Sequence, residues 1–161
     1  MNIKNLKSIS ASSLTLVVSI TFANELKYST VKLEVPPSFV NKTITQKSGA
    51  EMLIIWNPKD SSSNIGLKTH KISENKLTTL SVRLQDKWKL SKLPTVEVKK
   101  IGQGKFSFCS IKLKDREVIS GYLLDKGLNV FIELVQRLPL TKNGVSKEEF
   151  WQIVKSVKYL K

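Results

Sequence analysis

Very few residues of this chain belong to the types that make or break covalent bonds. The sequence contains one cysteine and one histidine, Cys109 and His70. A thiol beside an imidazole is the arrangement of a nucleophile with its base. However, Cys109 alternates with Ile111 and Leu113 in a strand-like run, which places it on an apolar face, whereas His70 lies beside lysines. The pattern favours a buried cysteine and an exposed histidine, and we expect no catalytic residue.

The sequence also lacks the residue patterns that are typical of metal-binding and phosphate-binding sites. Asp115 and Glu117 flank a turn that can in principle hold a cation, but Lys114 and Arg116 adjoin them and favour a solvated turn. A single histidine and a single cysteine exclude a multi-histidine or cysteine-rich zinc centre. Residues 102–105 (GQGK) lack the spacing, the Ser or Thr and the following helix of a phosphate-binding loop. We therefore expect no metal and no cofactor, and interpret GQGK as a hairpin turn.

Positive charge is the strongest signal in the sequence. The 161 residues carry a formal net charge of +14, and such a surface attracts anionic lipids or nucleic acid. The candidate anion- or lipid-binding residues lie on neighbouring predicted strands, where they can merge into one patch. They are Lys99, Lys100, Lys105, Lys112, Lys114 and Arg116. Two further basic clusters are Lys68, His70 and Lys71, and Lys87, Lys89 and Lys92.

The predominance of lysine over arginine supports a second interpretation of the positive charge. Lysine outnumbers arginine by 24 to 3. Specific phosphate sites favour arginine, because its planar guanidinium binds phosphate through two hydrogen bonds. A general bias in amino-acid usage therefore stays open as the source of the lysines. Basic and aromatic residues are not interleaved as they are in RNA-binding motifs, which argues against nucleic acid.

Trp151 is the tryptophan best placed to contact a partner. In the predicted final helix it falls off the line of Ile153 and Val157, which leaves it partly exposed. With Lys155 and Lys158 nearby, it can insert into a membrane interface or a groove on a partner. Simple packing on the sheet is the alternative.

Residues 1–23 have the pattern of a secretory signal peptide. Two lysines precede a short apolar stretch, and Thr21 and Ala23 are small residues at the positions that a signal peptidase recognises. The stretch is shorter than the ~20 residues of a membrane-spanning helix, and no cysteine follows it to carry a lipid. We expect cleavage before Asn24, export to the periplasm or out of the cell, and no transmembrane segment afterwards. The alternative is a retained membrane anchor or a short buried helix. Removing the two lysines of the leader lowers the net charge from +14 to +12.

The remainder, residues 24–161, is expected to form a single domain that begins with strands. Alternating or continuous apolar residues indicate these strands. They are predicted at residues 30–35, 40–45, 51–56 and 65–72. Residues 57–64 contain Pro, Asp and three consecutive serines, which predicts a loop. An amphipathic helix follows, with Asn75 as its N-cap and its end before Pro94. Its apolar face is Leu77, Leu80, Leu84 and Trp88.

The second half predicts an antiparallel meander and a closing helix. Four strand-like runs are separated by short turns that contain Gly or Asp. The runs are 95–101, 105–113, 117–124 and 128–138. Ser146 and Glu149 have the spacing of a capping box at the start of the last helix. Its apolar face is Phe150, Ile153, Val154, Val157 and Leu160. The predicted fold class is α+β, an antiparallel sheet covered by two amphipathic helices.

This element order, with two end motifs, resembles the PsbP-like α/β sandwich family, which includes the DcrB-type periplasmic proteins of bacteria. The first motif is Val35-Pro36-Pro37-Ser38-Phe39 after an early strand, and the second is the stretch 150–159 (FWQIVKSVKY) in the final helix. DcrB-type proteins are often lipid-anchored through a cysteine beside the signal, and this chain has none there. The resemblance implies an accessory or binding role and provides no catalytic residue.

Together these features predict an exported, non-enzymatic binding or accessory protein. Its expected partner is another protein or an anionic lipid surface of the cell envelope or a host. Two other classes stay open. One is a small exported hydrolase or transferase, and the other is a structural component of an envelope or secretion assembly.

Overall fold

The chain folds into two antiparallel sheets and two helices within the residues that the structure describes. This computed structural model describes residues 24–70, 79–125 and 128–160. The predicted leader and the predicted N-cap Asn75 lie outside these ranges. The elements in chain order are β1 (Asn24–Tyr28), β2 (Val31–Val35), β3 (Val40–Thr45), β4 (Glu51–Asn57), β5 (Asp60–His70), α1 (Leu80–Trp88), β6 (Glu97–Ile101), β7 (Gly104–Lys112), β8 (Arg116–Asp125), β9 (Leu128–Arg137), α2 (Lys147–Ser156) and β10 (Lys158–Tyr159).

The larger sheet has seven strands and contains the predicted meander. Its strand order is β3-β4-β5-β9-β8-β7-β6, and neighbouring strands are antiparallel. Gly102, in the turn between β6 and β7, has φ 56°. Glycine adopts this left-handed conformation without strain because it has no Cβ atom. The four-strand meander is therefore confirmed. The smaller sheet, in the order β1-β2-β10, was not predicted.

Alternation along β8 divides its side chains between two cores. Successive residues of a strand point to opposite faces of the sheet. Ile119 and Leu123 therefore join the core that the larger sheet shares with the smaller sheet and α2, whereas Val118 and Tyr122 join a second core beneath α1. One helix thus covers part of each face of the larger sheet. This arrangement confirms the predicted α+β sandwich.

Helix α2 begins as predicted and ends earlier. Oγ of Ser146 accepts a hydrogen bond from the backbone N–H of Glu149, and the Glu149 carboxylate accepts one from the N–H of Ser146. This capping box satisfies backbone groups that the first turn leaves without partners. The helix stops at Ser156, and β10 then pairs with β2. The prediction that Val157 and Leu160 continue the helical face was wrong, because Val157 has extended backbone angles (φ −61°, ψ 123°) and β10 follows it.

Two other predicted boundaries also differ. Residues 57–64 are not a loop, because β5 already begins at Asp60 and only a tight turn separates it from β4. Two of the serine hydroxyls have partners: Oγ of Ser63 accepts a hydrogen bond from the backbone N–H of Arg137 on β9, and Oγ of Ser62 donates one to Asp60. Helix α1 ends at Trp88, since Lys89 adopts φ 52°. The helix thus ends before Pro94, as predicted, but the left-handed residue Lys89 ends it earlier than the proline requires.

Candidate anion-binding surfaces

The structure brings Trp151 of α2 together with Lys99 of β6. Nζ of Lys99 lies 4.3 Å from the centroid of the Trp151 ring, a cation–π distance. The indole also packs at near-perpendicular angles on Phe106 and Phe108, with centroids 5.7 and 5.1 Å away. Trp151 is half-buried. It therefore packs on the sheet and still presents part of its ring to the surface.

Strand register explains why these two residues meet. Lys99 pairs directly with Phe106 across β6 and β7, and paired residues project to the same face of a sheet. Phe106 is fully buried in the core under α2. The side chain of Lys99 consequently leaves the sheet on the face that α2 covers and reaches the indole from the sheet edge.

The other predicted lysines of α2 and β10 lie beside a groove next to this pair. A cavity of about 370 Å³ separates the β6–β7 turn from the end of α2, and Lys155, Lys158 and Tyr159 line it. Burial and the charge of Asp125 raise the pKa of Tyr159 to about 12, so its phenol stays neutral. We call Lys99, Trp151, Lys155 and Lys158 the Trp151 patch.

The remaining predicted lysines of this hairpin point the other way. Lys100 and Lys105 are directly opposite each other in the register, and both are exposed. Because side chains alternate along β6, they leave the sheet on the face opposite Lys99. Two like charges in a directly opposed pair repel each other. A bound anion would relieve this repulsion, so the pair extends the basic surface around the sheet edge.

The second predicted cluster lies at the far end of the same strand. Lys105 and Lys112 are seven residues apart in β7, which corresponds to about 23 Å. Lys112, Lys114 and Arg116 therefore do not merge with Lys99, Lys100 and Lys105 into one patch, as the sequence had suggested. Arg116 is also neutralised, because its Nη2 lies 2.6 Å from Oδ2 of Asp115. The six predicted residues form two separate groups.

The residue types considered for catalysis and metal binding are held apart. Cys109 on β7 and His70 on β5 are separated by β8 and β9, three strand spacings or about 14 Å of backbone. Cys109 is fully buried, as predicted. Glu117 pairs with Lys147 at 2.7 Å rather than with Asp115. Among the described residues, no group of three or more potential metal ligands is found.

A second basic site, which the sequence did not predict as a unit, lies between α1 and the larger sheet. The α1 cleft has a volume of about 400 Å³. Its lining residues come from β4, β5, β8, β9 and α1, together with the residue that follows β3. They are Gln46, Met52, Lys68, Leu80, Arg83, Leu84, Asp86, Lys87, Tyr122 and Phe131. Lys68 and Lys87 belong to basic clusters that were noted in the sequence, whereas Arg83 gave no signal of its own.

Glu133 lies beneath this cleft as a nearly buried carboxylate with three hydrogen bonds. Nζ of Lys87 donates to Oε1 and Oε2 at 2.7 and 3.0 Å, and Oγ of Ser120 donates to Oε2 at 2.5 Å. These bonds satisfy the buried charge. Sequence reasoning missed Glu133, because its position in an alternating strand gave no sign that its charge faces a protein core.

Comparison with known proteins supports the fold and leaves the family open. No protein-family model matches the chain, and no curated protein matches it. The solution structure of cyanobacterial PsbP (CyanoP) from Synechocystis sp. PCC 6803 is similar, with 11% identity and a TM-score of 0.59, covering 89% of this chain and 96% of that chain. The predicted PsbP-like α/β sandwich is therefore confirmed as the fold.

A second solved structure matches over part of its length. It is a crystal structure from Bacteroides thetaiotaomicron VPI-5482, 11% identical, with a TM-score of 0.49. The match covers 81% of this chain and 45% of that chain, so this chain spans less than half of it. Within the described residues, neither helix has the length and apolar composition needed to cross a membrane.

Proposed function

We propose that this protein is exported and acts without catalysis, by docking on an anionic lipid surface through the Trp151 patch. The observation that carries the proposal is the position of the Lys99 ammonium 4.3 Å from the centre of the Trp151 ring. Tryptophan favours the headgroup level of a bilayer, where its ring is partly apolar and partly hydrated. Lysines beside it are attracted to anionic headgroups.

The charge around Trp151 supports a lipid surface over a neutral protein surface. Lys155 and Lys158 are exposed. In the described part of the chain, neither of them nor Lys99 is in a salt bridge. Their charges are therefore available to an external anion. The PsbP-like fold is compatible with an accessory or binding role, which agrees with docking as the main activity.

Vesicle co-sedimentation tests the proposal. We expect binding to vesicles of phosphatidylcholine with phosphatidylglycerol, little binding to phosphatidylcholine alone, and weaker binding as the salt concentration rises. Each lysine contributes about 1 kcal/mol near an anionic membrane. The triple variant Lys99→Gln, Lys155→Gln and Lys158→Gln should therefore bind roughly 100-fold more weakly.

A matched variant separates a localised patch from general positive charge. Lys112→Gln, Lys114→Gln and Lys142→Gln remove the same number of charges, two of them from the second predicted cluster, and all three residues are exposed. We expect this variant to retain vesicle binding. An equal loss in both variants would show that net charge alone drives binding. If the wild-type protein bound another protein but did not bind anionic vesicles, the lipid assignment would be overturned in favour of a protein partner.

Export is tested on the protein from its native cell. We expect the mature chain outside the cytoplasm, with an N-terminal sequence that begins at Asn24. Full-length protein in the cytosol, with residues 1–23 intact, would contradict export. This result is independent of the vesicle measurement, so the two parts of the proposal can fail separately.

A further inference from the structure

The α1 cleft combines an excess of positive charge with an apolar floor. Its volume, about 400 Å³, falls within the range of roughly 300–1,000 Å³ that is typical of small-molecule sites. It opens on the face of the larger sheet that α1 covers, whereas the Trp151 patch lies on the face covered by α2. The cleft and the Trp151 patch are therefore spatially separate sites.

Two of the three cations in the cleft have only neutral partners. Nζ of Lys68 donates a hydrogen bond to Oε1 of Gln46, and Nη1 of Arg83 donates one to the Tyr122 hydroxyl at 2.6 Å. Within the described ranges, neither Lys68 nor Arg83 is in a salt bridge. The third cation, Lys87, is neutralised by a carboxylate of the sheet. Asp86 also lines the cleft. Three cations therefore face two carboxylates, those of Asp86 and Glu133, and one positive charge remains in excess.

The surroundings of Lys68 disfavour its charged form. Burial lowers the pKa of Lys68, and the nearby charges of Arg83 and Lys87 lower it further. Glu133 opposes this effect, but its two oxygens already accept hydrogen bonds from Lys87 and Ser120. A carboxylate placed between Lys68 and Arg83 would favour the charged form of the lysine, and a guanidinium can bind a carboxylate through two hydrogen bonds.

The floor of the cleft selects an anion with an apolar body. Leu80 and Leu84 are 1% and 3% exposed, and the Phe131 ring lies 5.3 Å from that of Tyr122. The Met52 side chain lies over the backbone of Gly66 on β5. Its Cε is 3.1 Å from the position that a Cβ atom on Gly66 would occupy. Met52 and Phe131 are only half-buried. These two side chains offer apolar surface beside the cations, and a bare inorganic anion would leave that surface unused.

We propose that the α1 cleft binds a small organic carboxylate with an apolar body, such as a medium-chain fatty acid. Its carboxylate lies between Lys68 and Arg83, and its apolar body lies on Met52 and Phe131. The carboxylate and the apolar body of the ligand contact different residues, so each part can be tested with its own probe.

Met52 provides a direct reporter for this test. It is the only methionine after Met1, so methyl-¹³C-methionine labelling gives a resolved NMR signal from the cleft floor. We expect decanoate, below its micelle concentration, to shift the Met52 methyl signal in a saturable way. Decanol lacks the charge and should bind roughly tenfold more weakly, since a hydrogen-bonded charge pair is worth about that factor. Inorganic phosphate should leave the methyl signal unchanged.

Variants identify the headgroup site. Lys68→Gln should weaken decanoate binding roughly tenfold and leave decanol binding unchanged, whereas Lys112→Gln, at the far side of the sheet, should change neither. The Lys99, Lys155 and Lys158 triple variant serves as a second control, because it removes the vesicle patch and leaves the cleft intact. A Met52 signal that ignores decanoate would overturn the proposal. Equal decanoate affinity in Lys68→Gln, or phosphate competing as strongly as decanoate, would overturn it too.

Discussion

Lys87 of α1 donates hydrogen bonds to both carboxylate oxygens of Glu133 on β9, at 2.7 and 3.0 Å. The Glu133 side chain is 7% exposed, whereas that of Lys87 is 48% exposed. The pair therefore links the solvent side of the helix to a carboxylate inside the second core. It holds α1 against the larger sheet at the α1 cleft.

Removing the lysine of this pair should destabilise the fold. Lys87→Met leaves the buried carboxylate with Ser120 as its remaining side-chain donor, and an under-satisfied buried group costs about 1–3 kcal/mol. The upper half of this range requires complete burial of the pair, so the exposure of Lys87 favours the lower half. The free energy of unfolding in urea measures the loss. The double variant Lys87→Met with Glu133→Gln should recover part of it, because it also removes the buried charge. If Lys87→Met were as stable as the wild type, Ser120 and solvent would be sufficient to satisfy the Glu133 carboxylate without Lys87.

Gly121 lies where the larger sheet packs most closely on itself. A Cβ at this position would stand 2.5 Å from the Ser107 carbonyl oxygen and 2.6 Å from Cβ of Phe108. These atoms belong to the neighbouring strand and cannot move aside without shifting its backbone. Gly121→Ala should therefore lower the free energy of unfolding by about 3 kcal/mol, the upper end of overpacking effects.

Gly66 provides the matched control for this prediction. It is also buried within the larger sheet, but its Cβ would meet only the flexible end of Met52, at 3.1 Å. Gly66→Ala should cost less than about 1 kcal/mol. Thermal unfolding of both variants measures the difference. Equal melting temperatures would mean that the β7–β8 pair can separate enough to admit a methyl group.

The features that could be predicted from sequence are those encoded by neighbouring residues. The meander follows from short turns between apolar runs, and each of these turns closes a hairpin without help from distant residues. The capping box needs only Ser146 and Glu149, three positions apart. The buried state of Cys109 follows from alternation within β7. Each inference used a local rule that the tertiary structure then reinforced.

The features that were missed depend on long-range pairing. Residues 60–64 have a polar composition that favours a loop, yet they belong to β5, where Asp60 and Asn64 pair with β4 and Asn64 also pairs with β9. The α1 cleft joins Lys68 to Arg83 and Glu133, which are 15 and 65 positions further along the chain. Only the strand order β5-β9-β8 places them together. Lys99 and Trp151 likewise meet because β6 is the sheet edge over which α2 lies.

Ser146 tests how much of α2 depends on its local start signal. Ser146→Ala removes the hydroxyl that accepts the Glu149 N–H at 3.1 Å, and loss of an N-cap costs about 1 kcal/mol. The free energy of unfolding should fall by that amount, while Ser146→Asp, which retains an acceptor, should remain near the wild type. If Ser146→Ala were neutral, packing of Phe150 and Ile153 in the core would alone determine where the helix begins.

Cys109 should make stability depend on pH in the alkaline range. Burial, with a smaller contribution from Glu97, raises the pKa of its thiol from 9.0 to about 11. Below pH 9 the thiol is neutral in both the folded and the unfolded state. Between pH 9 and 11 the unfolded chain releases the proton and the folded chain keeps it, so ionisation stabilises the unfolded state. The free energy of unfolding should therefore fall across this window, by up to about 1.4 kcal/mol per pH unit for this one group.

The Cys109→Ala variant isolates this contribution from other groups that titrate at high pH, Tyr159 among them. Removing a fully buried thiol lowers stability below pH 9, and the difference between wild type and variant should shrink as the pH rises from 9 to 11. Thiol labelling at pH 8 supplies an independent measurement: native protein should react far more slowly than urea-unfolded protein, because the thiol is both protonated and covered. Rapid labelling of the native protein, or a difference in stability that stays constant with pH, would show that the segment around Pro94, whose carbonyl lies 4.0 Å from Sγ, opens to admit water.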